Sequence, residues 1–462
     1  MFVDAKVNLS ADPSGKIQKL ADTIDRLHRR GARRPLQKVI SKAHPADLSS
    51  VLSTVPDDHV APIFRAIPEK RIAAEVLTDL NPRVRELILK ESSAEQLAPI
   101  LEELPPDRLT DLIGQMDQEV ADQLMALLHR DSRAELEDLL QYAPDTAGGI
   151  MTPDFFALVD DVLVEQAIEA IRSRPDVEMV FYLYVTDGEG RLNGVISLRQ
   201  LLVARPGAAL REVMNPRVIK VQTDAKQEAV ANLVDKYRLL AIPVVDERNL
   251  LVGMVTVDDV IEVIESETTK EMLRMAGTSE SEILVQSPFK IARIRLPWLL
   301  AAFGGGLAAT GVIQQFEEIL SKVLALSAFL PVIMGMAGNV GVQSATVAVR
   351  GLATGSLELR HIGKVVFKEL RVGLLLGIFY GVVLGVYGWF VFDSTSLGEV
   401  VGLTILANMT GAAVLAIVLP MFFHRIGTDP AIATGPFVTT AIDVLGVLNY
   451  FAIATLLLHL GD

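Results

Sequence analysis

The chain has 462 residues, 50% of them hydrophobic and 22% charged, with a net charge of −14 and no cysteine. The acidic balance argues against a nucleic-acid surface and favours cationic partners, and the lack of cysteine excludes disulfides and thiolate metal sites. The charge is uneven: residues 1–289 carry a net −15 and residues 290–462 a net +1, which predicts an acidic, water-facing part followed by a membrane-embedded one.

The N-terminal stretch MFVDAKVNLSADPSGK is polar and has no apolar signal core, so the long first part is expected to stay in the cytoplasm. Residues 16–140 read as helical. Their helix starts are marked by proline followed by acids: Pro45-Ala46-Asp47, Pro56-Asp57-Asp58, Pro68-Glu69 and Pro105-Pro106-Asp107. Proline fits a first helical turn, and a carboxylate there suits the helix dipole. Short helices at this spacing predict an all-α N-terminal superhelix over residues 1–140.

Residues 141–267 contain an internal repeat. Ile150-Met151-Thr152-Pro153 is echoed by Val213-Met214-Asn215-Pro216, and Gly194 in Leu192-Asn193-Gly194-Val195 by Gly253 in Leu251-Val252-Gly253-Met254. Each unit alternates short apolar strands with helical stretches, and the pair resembles tandem α/β CBS domains, a usual sensor module for adenine nucleotides. In such modules a Thr-x-x-Asp step holds a ribose. Unit two has Thr256-Val257-Asp258-Asp259, whereas unit one has Ser197-Leu198-Arg199-Gln200 and lacks the acid. The resemblance therefore points to Thr256 and Asp259 as the nucleotide-binding pair, with ATP as the candidate ligand. A plainer reading also stands: Asp258 and Asp259 open the next helix, where anions are favoured.

That helix continues through Glu262, Glu265, Glu267 and Glu271. Acids at i, i+3, i+4 and i+7 repel one another. A solvated face tolerates this, and a divalent cation bridging the carboxylates would relieve it. Residues 268–292 then form a connector to the membrane part, with helical character over Thr269–Ala276.

Five segments in residues 293–462 are apolar and long enough to span a bilayer: Leu296–Phe316, Val323–Val349, Val372–Phe392, Val400–Phe423 and Pro430–Leu458. The third repeats Gly373, Gly377, Gly381 and Gly385, a spacing that suits close helix packing in lipid. Basic residues Lys290, Arg293, Arg295, Arg350, Arg360, Lys364, Lys368, Arg371 and Arg425 fall in the loops of one side. The positive-inside rule then places the N-terminus in the cytoplasm and the C-terminus outside.

Three spans carry polar groups that stand out. In the second, Pro331, Gly335, Gly338 and Gly341 lower helix propensity in water, though membranes tolerate them; a break there would free backbone carbonyls, while Asn339, Gln343 and Thr346 share one helical face. In the fifth, Asp443 is a carboxylate inside an apolar segment, which marks an ion or proton path by default. Asp429 and Asp443, on one continuous helix, would lie about 21 Å apart and within roughly 40° of one face, with Thr439 one turn before Asp443. Span four adds Asn408. A hard divalent cation takes oxygen ligands, and Mg²⁺ keeps much of its water. A proton relay would use the same aspartate, and the residue types alone do not separate the two.

Gly338-Asn339-Val340-Gly341-Val342-Gln343-Ser344-Ala345-Thr346, Arg295-Leu296-Pro297-Trp298-Leu299, Phe316-Glu317, and the series Asp429-Pro430-Ala431, Gly435-Pro436, Thr439-Thr440, Asp443 together resemble the MgtE family of magnesium channels, in order along essentially the whole chain. The resemblance implies a multidomain homodimer in the inner or plasma membrane, with a pore on its two-fold axis. It implies that Asp443 of both subunits holds a hydrated Mg²⁺, that Asn339 is its neighbour, and that Asp429 sits at the cytoplasmic mouth. It also implies that Asp259, Glu262, Glu267 and Glu271 bind cytoplasmic Mg²⁺ that closes the channel, and that residues 268–292 form a plug helix. Membrane lipid is the other expected partner. Two alternatives remain: a CBS-regulated transporter with Asp443 as proton carrier, and a membrane-anchored sensor. No Walker loop or HExxH spacing is present, so no enzyme is expected.

Overall fold

The computed structural model describes residues 13–114, 116–173, 181–285, 287–353, 356–357, 362–433 and 435–458. Arg360, the leader 1–12 and Thr354-Gly355 lie outside the described residues. The chain divides into two compact units, Met1–Glu265 and Ser266–Asp462.

The first unit opens with short helices: α1 (Pro13–Arg29), α2 (Arg33–Ile40), α3 (Pro45–Leu52), α4 (Asp57–Phe64), α5 (Lys70–Asp79), α6 (Pro82–Glu91), α7 (Ala94–Leu101), α8 (Pro106–Gly114), α9 (Gln118–Leu127) and α10 (Arg130–Leu139). Prolines begin α1, α3, α6 and α8 and Pro56 caps α4, as the proline–acid pattern predicts for α3, α4 and α8. Caps complete the starts: Asn81 Oδ1 accepts the Val84 N–H at 3.0 Å, and Ser93 with Gln96 forms a capping box. Each helix buries one apolar stripe, and the stripes merge into one core around Ile24, Ile40, Leu52, Phe64, Leu77 and Ile88.

The repeat becomes two three-stranded sheets. The first holds β1 (Ala157–Val159), β2 (Tyr182–Thr186) and β3 (Leu192–Ser197), with α11 (Val164–Ser173), α12 (Leu198–Val203) and α13 (Leu210–Val213). The second holds β4 (Val221–Gln222), β5 (Ala241–Val245) and β6 (Leu251–Thr256), with α14 (Gln227–Tyr237) and α15 (Val257–Met275). In each sheet the first pair is parallel and the second antiparallel, and the register slips at matching places, Val185/Thr186 and Val244/Val245. The two repeats interlock. A Cβ on Gly194 would meet the Met214 sulfur at 2.3 Å, and one on Gly253 would meet the Met151 sulfur at 2.7 Å. The methionine of each echoed tetrapeptide therefore seats on the strand glycine of the other repeat.

The second unit takes the end of α15, a turn of helix α16 (Ser281–Leu284), and then α17 (Pro288–Gln315), α18 (Glu317–Lys322), α19 (Ala325–Ala353), α20 (Ile362–Phe392), α21 (Thr395–Arg425) and α22 (Pro436–Leu457). Five of these helices, α17, α19, α20, α21 and α22, are long and apolar enough to cross a membrane. The connector is helical over the expected stretch, as a continuation of α15 to Met275, and α17 begins at Pro288.

α19 runs unbroken through Pro331 and its glycines, which a helix in lipid tolerates, so no carbonyls are freed there. One correction concerns the spans. The fifth span does break. Pro430–Ala433 forms a 3₁₀ turn, and α22 starts only at Pro436, after Gly435. Proline at the first helical position, with a preceding residue pushed out of the helical region, starts a helix here instead of bending one. Asp429 and Asp443 therefore do not share a helix, and the 21 Å spacing does not apply.

On α20, Gly373, Gly377, Gly381 and Gly388 are buried. A Cβ on Gly381 would lie 2.6 Å from the Gly402 carbonyl oxygen of α21, and one on Gly373 2.9 Å from that of Met409. The glycine stripe is the seam along which α20 and α21 press backbone to backbone.

Candidate functional site

In the membrane unit the site is built on α22 and α19. Gly341 of α19 has no room for a side chain because Ile442 of α22 fills it: a Cβ would meet Ile442 Cδ1 at 2.1 Å. This contact joins the two helices one residue before Asp443. Asp443 is half-buried, and among the described residues it has neither a hydrogen-bond partner nor an ion-pair partner. Thr439, one turn earlier, spends its hydroxyl hydrogen on backbone, pointing to the carbonyls of Gly435 (3.3 Å) and Pro436 (3.2 Å). Its oxygen can still accept. On α19, Asn339, Gln343 and Thr346 lie on an exposed face, away from the helices that pack its other side.

The remaining polar groups act as internal fasteners. Asn408 of α21 is buried, donates to the Gly446 carbonyl at 3.0 Å, and accepts from Asn449 at 2.6 Å. Beside this pair is a mostly apolar cavity of 660 Å³ between α21 and α22. Asp429 caps the 3₁₀ turn by accepting the Ala431 N–H at 2.8 Å, and it is ion-paired with Arg274 near the end of α15. Sequence reasoning missed Glu369 of α20, a buried carboxylate that accepts the Ser344 hydroxyl of α19 at 2.8 Å.

In the first unit, the acidic start of α15 meets α8. The Arg108 guanidinium lies 3.0 Å from Asp259, 3.1 Å from Glu262 and 3.8 Å from Asp258. Asp259 also accepts the Thr256 hydroxyl at 2.5 Å. Burial pushes the Asp259 carboxyl up to about 6 despite Thr256 and Arg108. Next to Arg108, the crowding protein around Asp111 withdraws solvent from its carboxyl, although the residue keeps an outward-facing surface. Together with the neighbouring Asp107 charge this pushes it up to about 7. Farther along α15, Glu267 pairs with Lys270 at 2.7 Å, and Glu271 pairs with Arg350 at 3.3 Å. The four acids expected to hold a regulatory metal are thus met by basic side chains. Among the described residues, no group of three or more His, Asp or Glu is placed to hold a metal.

The CBS pair has a cavity of 190 Å³ lined by Tyr182, Tyr184, Ser197, Gln200, Asn215 and Arg217, among others. Neither Thr256 nor Asp259 lines it. The cavity lies between the repeats, with Ser197 and Gln200 of the unit that lacks the acid on one side and Leu239, Ala241 and Pro243 of the other unit facing them, and the signal that could have found it was the tyrosine pair on β2.

A helical domain, a tandem CBS pair and five membrane-length helices define a multi-pass membrane protein with a sensor module. Family models agree, domain by domain. The MgtE intracellular N domain matches residues 43–145, the CBS domain residues 147–207 and 210–266, and the MgtE divalent cation transporter model residues 330–453. The magnesium transporter MgtE of Thermus thermophilus is 38% identical over 449 residues, which is 96% of this chain and 99% of that one. That of Bacillus subtilis is 30% identical over 434 residues, 94% and 96% of the two chains. A crystal structure of the cytosolic domain of the Mg²⁺ channel MgtE in complex with ATP is 40% identical, with a TM-score of 0.50. It covers 53% of this chain and 99% of its own. The chain belongs to the MgtE family.

Proposed function

We propose that this protein carries Mg²⁺ across the inner or plasma membrane, as a homodimer whose two Asp443 carboxylates hold a hydrated Mg²⁺ on the pore axis. One observation carries the reading. Asp443 sits in a membrane-length helix, half-buried, with no partner among the described residues, and a protein bears that cost only where a cation or water visits. Thr439 on the same helical face and the exposed strip of Asn339, Gln343 and Thr346 add oxygens suited to a hydration shell. The names of the T. thermophilus and B. subtilis relatives support magnesium as the substrate. Basic residues on the loops of one side support a cytoplasmic N-terminus and an outside C-terminus.

Control by cytoplasmic Mg²⁺ at Asp259, Glu262, Glu267 and Glu271 is part of the proposal. In the arrangement described above, Arg108, Lys270 and Arg350 occupy these carboxylates, so the metal does not fit it and would need a rearranged state. For ATP, the cavity at Tyr182, Ser197, Gln200 and Arg217 offers aromatic faces, hydrogen-bonding groups and one cation. The crystal structure of the relative's cytosolic domain with ATP supports a nucleotide as ligand.

The test is growth of a magnesium-uptake-deficient bacterium. The native chain restores growth at low magnesium and Asp443→Ala, at equal abundance, does not. Rescue by both would overturn the pore assignment.

A further inference from the structure

The glycine seam of α20 ends in a charge. Stepping back four residues at a time from Gly381 through Gly377 and Gly373 leads to Glu369, on the same helical face. A small residue would continue the seam, yet the position holds a carboxylate that is 7% exposed. Burying a carboxyl is costly unless it is hydrogen-bonded. Among the described residues, the turns above and below it are lined by apolar groups and backbone. One turn above, Gly373 abuts Met409, Thr410 and Ala413 of α21. One turn below, Val365 and Val366 pack with Ala348, Leu352, Ile417 and Met421. The basic neighbours on α20, Lys364, Lys368 and Arg371, are exposed, and the Arg371 guanidinium lies over the Phe367 ring, 4.3 Å from its centroid. Among the described residues, the group that meets the carboxylate is the Ser344 hydroxyl of α19.

Ser344 is buried on the side of α19 opposite the polar strip. Gly341, Ala345 and Ala348 are buried on its side, whereas Asn339, Gln343 and Thr346 are exposed. Whatever fixes Ser344 fixes the rotation and height of that strip. α20 is welded to α21 along the glycines, so Glu369 projects from a rigid pair. We propose that Glu369 is a positioning residue for transport: through the Ser344 hydroxyl it sets the register of α19, and so aims the Asn339–Gln343–Thr346 strip. This deepens the transport reading and depends on it only for its functional consequence.

The chain has no cysteine, so introduced thiols report alone. Ala348→Cys and Val365→Cys lie in one apolar cluster joining α19 and α20, and their coupling by a short bifunctional thiol reagent in native membranes measures register without needing transport. Glu369→Ala is expected to slow this cross-link about five- to tenfold, the scale of coupling between residues in contact. Glu369→Gln, which keeps an acceptor for Ser344, restores it. Ser344→Ala removes the same hydrogen bond with little change in volume and carries the same expectation should Glu369→Ala fail to accumulate. Mg²⁺ uptake into proteoliposomes, measured on the cysteine-free single variants, falls in step: about fivefold or more for Ala and near native for Gln. Cross-linking unchanged by Glu369→Ala and Ser344→Ala overturns the proposal. So does a Gln variant as impaired as Ala, or lost register with native uptake. If the native chain itself shows no uptake, the transport reading fails while the cross-link still decides the register.

Discussion

The two units treat their carboxylates in opposite ways. In the water-facing unit Asp258, Asp259 and Glu262 share one guanidinium, that of Arg108. In the membrane unit, where an ion is far costlier, Asp443 stands without a partner among the described residues and Glu369 has one hydroxyl. Arg108 and Asp259 are partly withdrawn from water, so their pairing satisfies both charges and fixes α8 against α15. In the membrane an unpaired carboxylate is retained at the expense of stability, and that expense is the sign of a function.

Four experiments break or sharpen this contrast. The largest effect is expected for Asp443→Ala, which should cut Mg²⁺ uptake about 100-fold or more, whereas Asp57→Asn, at a carboxylate of the first unit paired with Arg83, leaves it within about twofold; variant rates convert directly to lost transition-state stabilisation. Equal losses for both would erase the distinction between the units. Next, Arg108→Ala strips the cation from Asp259 and Glu262 and is expected to destabilise the first unit by about 1–3 kcal/mol, as removing one partner of a half-buried pair does. Denaturant melts of the detergent-solubilised full chain measure it, and an unchanged midpoint would contradict the pairing.

The third concerns pH. Asp259 titrates at about 6 and Asp111 at about 7 in the folded chain, against an ordinary 3.8. Between those values the folded state binds more protons than the unfolded one, so stability rises as pH falls from 7 towards 4. Asp111 faces water and is screened, so Asp259 is expected to dominate. Asp259→Asn should flatten the slope, and an equally steep slope in that variant would exclude it as the source. The smallest effect is at the CBS cavity. Tyr182→Ala is expected to weaken ATP binding about tenfold, and Thr256→Ala to change it less than about twofold, in keeping with the loss or retention of one good contact. The reverse ranking would return the nucleotide to Thr256 and Asp259.

Much of the fold was legible because its signals are strong. Apolar runs longer than a bilayer and a repeat with matching glycines leave few alternatives. The errors are local and have physical causes. Pro331 and three glycines left open whether α19 breaks, and side-on packing such as Ile442 against Gly341 supplies the stability that propensity lacks. The fifth span was read as one continuous helix, although a proline after a glycine readily starts a new one; that continuity produced the false alignment of Asp429 with Asp443. Arg108 was invisible, since nothing in a sequence announces which cation will meet an acidic helix 151 residues away. Glu369 could have been found. Beginning the third span at Val372 set it among the basic residues of a loop, yet its place four residues before Gly373 puts it on the buried seam.

The most direct test of the central claim is Mg²⁺ influx into proteoliposomes held without a pH gradient, comparing the native chain with Asp443→Asn. That substitution keeps the side chain's size and removes only its charge. The account predicts influx through the native chain under these conditions and its loss with asparagine. Native-like influx with asparagine, or a native flux that appears only when a pH gradient is imposed, would contradict it.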